Sequence, residues 1–559
     1  MLARDLGRKV KVYERLSPPP DPTDETVWGD VAKFYLIGLG ERGQAALREF
    51  GVWDDVEAVC TAVPGRMDWA PDAGPDEGVE RIFTDRPVMT QVLPRDKLVG
   101  VLHSHILANY PETIELNYGR EVTPLDFDHE GGSSVYVAVS DCSSDVLRGM
   151  PSDVAQKVAE HSLSLCDVDD LELVRTELLV ASDGTQRTVA TEMARLDAEE
   201  RAGMGPVGRL RAGEPFRIRR YDDDNQRIYK TVPFKVPEGW RKDLNYSARS
   251  KDGRVFWDSL PANDSGEQCA VLLLRKDDEL AQMGCDPAAL RKVFDEVLPQ
   301  FSANLDDDTV ARVAEKPPSF LPKFRYAAPR LNQGDRTVLL GDSIHTVKPY
   351  FGLGANSALE DVQILKQSLE STSSIKDATR MFSERRADES RALVQISREL
   401  DRPGVLGAFT FVIPLILDSI FSKAVPGLFS PNMIAMLQRR DQSFVALQRR
   451  KRIERLGQVT VLGTVAAGLG LVARGSVRAL ARLTGRRGST VASILVGAMA
   501  SIAVVRKIAA FAVRGLAPAD VLNKARRERE EEEETPIYSI SAYDDSADDV
   551  SSNMAGGGI

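Results

Sequence analysis

The stretch TVLLGDSIHTVKPYFGLGANSALEDVQILKQSL, Thr337 to Leu369, decides the reading of this chain. The apolar run Val338-Leu339-Leu340 predicts a short strand that ends at Gly341-Asp342, and a polar loop follows. Beyond the loop, Leu359, Val362, Leu365 and Leu369 recur at helical spacing and predict an amphipathic helix that starts near Asn356. A strand, a loop and a helix N-terminus in that order offer free backbone N–H groups and the positive end of a helix dipole to an anionic or electron-rich ligand. Gly352 and Gly354 let such a ligand approach the backbone, with Ala355 and Asn356 beside them at the helix start. Asp342 is read as an acceptor of hydrogen bonds from hydroxyl groups rather than as a metal ligand, and no metal site is expected.

The order G-D-x-x-H-x-x-x-P-x-x-G-x-G-x-N-x-x-x-E-D is filled by Gly341, Asp342, His345, Pro349, Gly352, Gly354, Asn356, Glu360 and Asp361. This order resembles the second flavin fingerprint of the FAD-dependent aromatic hydroxylases, the group A flavoprotein monooxygenases. The resemblance implies that Asp342 holds the ribityl chain of FAD and that the helix N-terminus faces the pyrimidine ring of the flavin. The plain alternative is a strand-turn-helix of some other α/β domain.

At 559 residues, with 43% hydrophobic and 28% charged residues, the chain has material for two to four domains. A net charge of -11 speaks against a nucleic-acid partner. Part of that acidity lies in a tail, 524–559, where Glu528 and Glu530 to Glu534 precede a Ser/Asp/Gly-rich end that is expected to be disordered. The five cysteines (Cys60, Cys142, Cys166, Cys269, Cys285) form no CxxC pair or regular spacing, which argues against zinc and against a disulfide framework, so a reducing compartment is expected.

The N-terminus, MLARDLGRKVKVYER, reads as the end of a helix capped by Gly7 and a strand, Val10 to Tyr13, that ends in Glu14-Arg15. In a dinucleotide-binding βαβ unit the second strand ends this way, with the acid on a ribose hydroxyl and the G-x-G-x-x-G loop about twenty residues upstream. The aromatic hydroxylases carry V-x-V-x-E-R here, so Glu14 resembles their ribose ligand. The chain is expected to begin inside the fold, a truncation of the gene model being preferred over a shortened protein. Gly38-Leu39-Gly40-Glu41-Arg42-Gly43 matches G-x-G-x-x-G after an apolar run, but no second strand ending in an acid follows at the required distance. YLIGLGERGQAALREFGV resembles instead a stretch of the kynurenine 3-monooxygenases in which backbone near Gly38 passes the FAD and a helix begins at Arg42.

Further along, Ile82-Phe83 and Val88 to Leu93 read as strands, and a helix is expected from Pro94 to about Asn109, with Arg95 at its head. Arg95 is a candidate FAD contact by resemblance; its bland reading is a solvated first-turn charge. Short strands are expected at Ile114 to Leu116, Val135 to Val139 and Leu171 to Val174. Glu177 to Gly184 repeats the strand-then-acid pattern and resembles the family motif G-A-D-G-x-x-S-x-V-R. Asp183, Gly184 and Val189 match, implying flavin contact, whereas Arg187 and Ala190 stand where Ser and Arg are usual.

Residues from about Ala212 to Val313 are strand-like and aromatic, then helical around Asp286 to Phe301; the sequence alone licenses an antiparallel sheet plus helices, and the resemblance makes this the substrate domain. Ser373 to Arg402 reads as helices. The charge-free runs Leu456 to Ala473 and Gly488 to Val505, each 18 residues long, sit at the lower limit for a bilayer span. Arginine-rich flanks on both sides conflict with two spanning helices, so surface attachment, a shallow hairpin, spanning and buried core helices all stay open.

The expected architecture is therefore α/β: a Rossmann-like FAD-binding domain interleaved with an antiparallel-sheet substrate domain, plus a C-terminal helical region. Its divisions are 1–210 (with substrate-domain strands near 60–100), 211–325, 326–400, 401–523 and the tail. The resemblance implies that NADPH or NADH reduces FAD, that O2 adds to give the C4a-hydroperoxide, and that an aromatic ring is hydroxylated. No catalytic side chain is required, and His345 is read as structural. Arg66, in Pro-Gly-Arg-Met, matches the carboxylate-clamping arginine of kynurenine hydroxylases, an assignment that suits the bidentate guanidinium. Phe83 falls at a substrate Tyr, Ser397 in an Asn-Tyr pair, and Met433 near a further Tyr. The expected partners are a small aromatic substrate, O2 and a membrane on its reducing side, the mitochondrial outer membrane or that of another organelle. Two other classes remain open at this stage: a catalytically silent membrane-associated relative, and a nicotinamide-only oxidoreductase using Gly38 to Gly43.

Overall fold

The structure, a computed structural model, describes residues 1–24, 27, 36–71, 73–83, 88–141, 171–222, 227–401 and 407–484. The apolar run 488–505, the acidic tail, Cys142 and Cys166 lie outside the described residues. Contact density divides the chain into two compact units, one built on Met1–Gly407 with Leu437–Val445, the other on Ala408–Met436 and the segment that follows Val445.

In the first unit the chain opens with one helical turn, in which Gly7 N–H donates to the Ala3 carbonyl, and Gly7 takes the left-handed conformation before β1 (Val10–Glu14). Then come β2 (Leu36–Leu39), α1 (Glu41–Glu49), β3 (Gly65–Trp69), β4 (Val79–Ile82), β5 (Thr90–Pro94), α2 (Arg95–Asn109) and β6 (Ile114–Tyr118). β1 pairs with β6 in parallel, Val10 opposite Ile114 and Glu14 opposite Tyr118. Three further strands, Arg120–Asp128, Ser134–Asp141 and Leu171–Thr176, make an antiparallel sheet before β7 (Leu179–Ala181) and α3 (Thr188–Ala202).

The aromatic middle of the chain supplies β8 (Arg227–Lys235), β9 (Leu244–Arg249), β10 (Phe256–Pro261), β11 (Glu267–Arg275), α4 (Pro287–Val297), α5 (Asp307–Glu315) and β12 (Ser319–Phe320). These strands join β3 and β4 in one seven-stranded sheet of order β12-β8-β11-β10-β9-β3-β4, antiparallel except for the parallel pair β9-β3. Side chains alternate across its pleat. One face, carrying Trp69, Tyr246, Trp257, Leu272 and Val232, packs against α4, α5 and Phe301. The Trp257 and Phe301 rings stack at 4.5 Å. The other face is the one that carries Arg66.

The chain then returns to the first sheet region with β13 (Thr337–Leu339), parallel to β7 with Ala181 opposite Leu339. Next come α6 (Leu353–Ser371) and α7 (Ile375–Glu399), a long helix capped by Ser374, whose hydroxyl accepts from Asp377 N–H. Val338, Leu339, Leu340, Ile344, Leu365 and Phe382 bury here with Val135, Val137, Val139 and Val189. The helix expected from about Asn356 starts three residues earlier, because Gly352 (φ 60°) turns the backbone left-handed and so can serve as N-cap. The second unit contains α8 (Ile413–Ala424) and, from Ala446 onward, α9 (Phe444–Thr484).

Candidate functional site

The loop between β13 and α6 is held from underneath by charges that its own sequence does not reveal. Gly341 N–H donates to Asp361 Oδ2 at 3.0 Å, and His345 Nε2 lies 3.0 Å from the same oxygen. Arg386 of α7 reaches Asp361 Oδ1 through Nε at 2.7 Å and Glu360 through Nη1 at 3.1 Å. Glu360 also pairs with Arg42 of α1. His345, Asp361 and Arg386 are 0–2% exposed. Burial by itself raises the pKa of Asp361, but Arg386 and His345 outweigh it and hold the carboxyl below its usual range. Asp342, buried, stands on the loop so anchored, and Pro349 lies in the same buried run.

Asn356 has a different job from the one expected. Its Oδ1 accepts from Gly40 N–H at 2.9 Å and Gly43 N–H at 3.1 Å, and its Nδ2 donates to the Gly38 carbonyl at 2.9 Å. The side chain is thus a clamp between α6 and the β2-α1 turn, with no group left over for a ligand. The same contacts dispose of the Gly38-Gly43 motif as a phosphate cradle. The amides such a cradle needs are taken by Asn356, and β2 runs antiparallel to β5 rather than in a parallel βαβ unit. A Cβ at Gly43 would lie 2.4 Å from Asn356 Oδ1, so this glycine serves close packing. The nicotinamide-only reading is overturned with the motif.

A second locus is a trough of about 1660 Å³ that collects Glu14, Arg15, Arg95, Asp183 and Gly184 from three separate stretches of chain. Glu14 accepts from Leu16 N–H at 2.9 Å, and Arg95, the first residue of α2, donates to Asp96 at 2.8 Å. Asp183 Oδ2 accepts from Val189 N–H at 3.0 Å, while its Oδ1 is enclosed with no hydrogen-bond partner. Burial pushes the Asp183 carboxyl up. Parallel pairing of β7 with β13 brings the two loci side by side: Leu340 N–H donates to the Ala181 carbonyl at 2.8 Å, and Arg187 donates from Nε to the Ser343 carbonyl at 3.1 Å. Arg187, 2% exposed, was legible only as a departure from pattern; the structure makes it the tie between the Asp183 and Asp342 loops.

Of the four substrate candidates, the structure brings two together. Arg66 lies on β3, 4% exposed, donating from Nε to Asp68 Oδ1 at 2.6 Å; Phe83 follows β4, its N–H donating to the Pro64 carbonyl at 2.9 Å. Ser397 is buried in the last turns of α7, and Met433 belongs to the second unit, at the start of the short helix Met433–Leu437. Sequence reading missed Asn245 and Asp258, which share the Arg66 face of the sheet.

The chain is similar to known proteins over most of its length. Residues 167–395 match the FAD binding domain family. The kynurenine 3-monooxygenase of Xanthomonas campestris pv. campestris (strain 8004) is 25% identical over 452 residues, 79% of this chain and 85% of that protein. That of Salinispora arenicola (strain CNS-205) is 28% identical over 372 residues, 66% and 68% of the two chains. A solved structure of 2-methyl-3-hydroxypyridine-5-carboxylic acid oxygenase matches with a TM-score of 0.48 at 16% identity, covering 73% of this chain and 90% of that one. Residues 167–395 therefore carry an FAD binding domain, and the chain as a whole is similar to FAD-dependent aromatic hydroxylases. FAD is its cofactor, and NAD(P)H is the co-substrate typical of the family. The residues present fit FAD, because the enclosed and unpartnered Asp183 Oδ1 sits in a trough that also holds two arginines and Glu14.

Proposed function

We propose that the protein is a monooxygenase that hydroxylates a carboxylated aromatic substrate of the kynurenine type, with NADPH or NADH as reductant. The observation that carries this reading is Arg66, a buried guanidinium beside Phe83 on the face of the seven-stranded sheet opposite its aromatic core, in a chain whose curated relatives are named kynurenine 3-monooxygenases. When bound, FAD supplies the redox and oxygen-transfer chemistry. The protein's own part is to bind, orient and exclude water. Glu14, Arg15, Arg95, Asp183 and Gly184 are assigned to the nucleotide half of FAD, and Gly341, Asp342, Pro349, Gly352, Gly354 and Ala355 to the ribityl and flavin end. Asn356 helps through its backbone alone. Residues 211–325 with β3 and β4 form the substrate half.

Arg66→Lys tests the substrate assignment. A point-charge ammonium cannot reproduce two parallel N–H···O bonds, so the KM for kynurenine is expected to rise about tenfold or more, which corresponds to one lost charge-assisted bond. The assay is NADPH consumption stimulated by kynurenine. Stimulation confined to neutral or apolar compounds, unchanged by Arg66→Lys, would overturn the reading.

A membrane role is proposed for the second unit. Among the described residues one helix, Phe444–Ala479, is long and apolar enough to cross a bilayer, and 6% of its apolar window is buried. Leu456, Leu462, Val465, Leu469 and Leu471 on it are exposed, as are Ile413, Ile416 and Ile420 on α8. The start of α9 is tied down instead: Lys451 and Arg455 pair with Asp418 at 3.1 and 3.2 Å, and Gln458 donates to the same carboxylate at 3.0 Å. Deleting residues from Thr460 onward keeps those bonds and removes the apolar run. It is expected to move the protein from the membrane pellet to the supernatant after carbonate-free lysis; a full-length chain already in the supernatant without detergent refutes the anchor.

A further inference from the structure

Alternation along three neighbouring strands places Arg66 and Asp68 of β3, Asn245 of β9 and Asp258 of β10 on the sheet face opposite its aromatic core. The register puts Arg66 opposite Asn245, and Asp68, Ser247 and Asp258 in one row across the three strands. Asn245 and Asp258 are therefore diagonal neighbours, at a spacing that a single small group can bridge. Asp258 is 3% exposed, and neither of its carboxyl oxygens has a hydrogen-bond partner. Asn245 is 7% exposed, and its Oδ1 is likewise without one.

Three enclosed oxygen atoms without a hydrogen-bond partner are costly in a protein interior, whether or not the Asp258 carboxyl carries its proton. Burial, first, and then the nearby Asp68 push the Asp258 carboxyl up to about 8 against the opposing pull of Arg66. Among the described residues those two are the charges that face it. Arg81 of β4 lies beyond Asp68, Val271 of β11 stands opposite, and the layer packed on the adjoining Leu260 and Cys269 is apolar (Leu36, Val63, Val92).

We propose that Asp258 and Asn245 form the ammonium-binding half of the substrate site, so that the head group recognised is that of an α-amino acid: carboxylate at Arg66, ammonium at Asp258 and Asn245. An ammonium has three N–H donors, which matches the two Asp258 oxygens and Asn245 Oδ1. The inference rests on the substrate reading above and adds to it the residues that would hold the ammonium of such a substrate. Binding has a proton consequence. An ammonium beside Asp258 favours its charged form, so at pH 7 the largely protonated carboxyl ionises and releases its proton to the buffer.

The test titrates the FAD-loaded enzyme, followed by flavin absorbance, with kynurenine and with desamino-kynurenine, the same carboxylated aryl ketone with hydrogen in place of the ammonium. Kynurenine is expected to bind at least tenfold more tightly than the desamino compound. Asp258→Asn is expected to abolish that preference with less than twofold effect on the desamino compound. Calorimetry in two buffers of different ionisation heat should show a proton released with kynurenine by the parent and none by the variant. Asn245→Ala, a milder change elsewhere in the cluster, should lose part of the same preference and keeps the test open if Asp258→Asn folds poorly. Equal affinity for the two compounds in the parent, or an undiminished preference in both variants, overturns the ammonium site while leaving the carboxylate reading standing. Absence of binding by either compound overturns the substrate reading and this one with it.

Discussion

Asp342→Ala is expected to yield a folded protein that loses its flavin on gel filtration. The side chain sits past the end of β13, on a loop whose position is fixed from below by the Gly341 N–H bond to Asp361 and from the side by the Arg187 bond to the Ser343 carbonyl. Neither of these two ties uses the Asp342 carboxyl, so both survive its removal. What disappears is a charged acceptor for ribityl hydroxyls, and a charge-assisted hydrogen bond contributes about 1.5–3 kcal/mol. That converts to a loss of about 10- to 150-fold in FAD affinity. Asp342→Asn, which keeps one acceptor oxygen, should fall between parent and alanine variant. The measurement is the FAD-to-protein ratio by absorbance, together with a dissociation constant from flavin fluorescence quenching. Equal affinity in parent and Asp342→Ala would remove Asp342 from the flavin site.

That prediction was available from the sequence because Asp342 belongs to a local pattern: apolar strand, Gly-Asp, glycine loop, helix. Glu14 and Asp183 were legible for the same reason, each closing a short apolar run. What the sequence hid is long-range. Asn356 sits where a ligand contact was expected, but the groups that claim its side chain, Gly40 and Gly43, lie 316 and 313 residues away. The glycines of the Gly38-Gly43 motif looked like a phosphate loop because composition cannot show that β2 runs antiparallel to its neighbour. Asp258 gave no signal at all. In Phe-Trp-Asp-Ser-Leu-Pro one acidic residue in a strand reads as a solvated edge, and only the strand order shows that it faces Arg66 across the sheet.

The Asp361 network was hidden in the same way, and it carries the largest expected effect on stability. Arg386→Met keeps the volume and helical propensity of the position and removes the charge. It leaves Asp361, with 0% exposure, and Glu360 to share fewer cations, and breaking one side of a buried ion pair costs about 3–5 kcal/mol. The pH dependence follows from the direction of the Asp361 shift. Arg386 helps hold this carboxyl below its ordinary range, so its contribution to stability is present above the unfolded value of about 4 and is lost as pH falls through the lower folded value. Without Arg386, burial raises the carboxyl instead, and the folded state of the variant then disfavours the ionised form as pH rises. The difference in unfolding midpoint between parent and variant should therefore be greatest near neutral pH and shrink below about pH 4. Because Gly341 and His345 lean on the same carboxylate, the variant should also retain less FAD at neutral pH even where it is still folded. Denaturant titrations of the apo-protein at neutral and acidic pH check the first claim, and flavin content checks the second. A variant with the parent's midpoint at neutral pH would show that Arg42 and His345 suffice to hold Glu360 and Asp361, and that Arg386 is dispensable to the loop on which Asp342 stands.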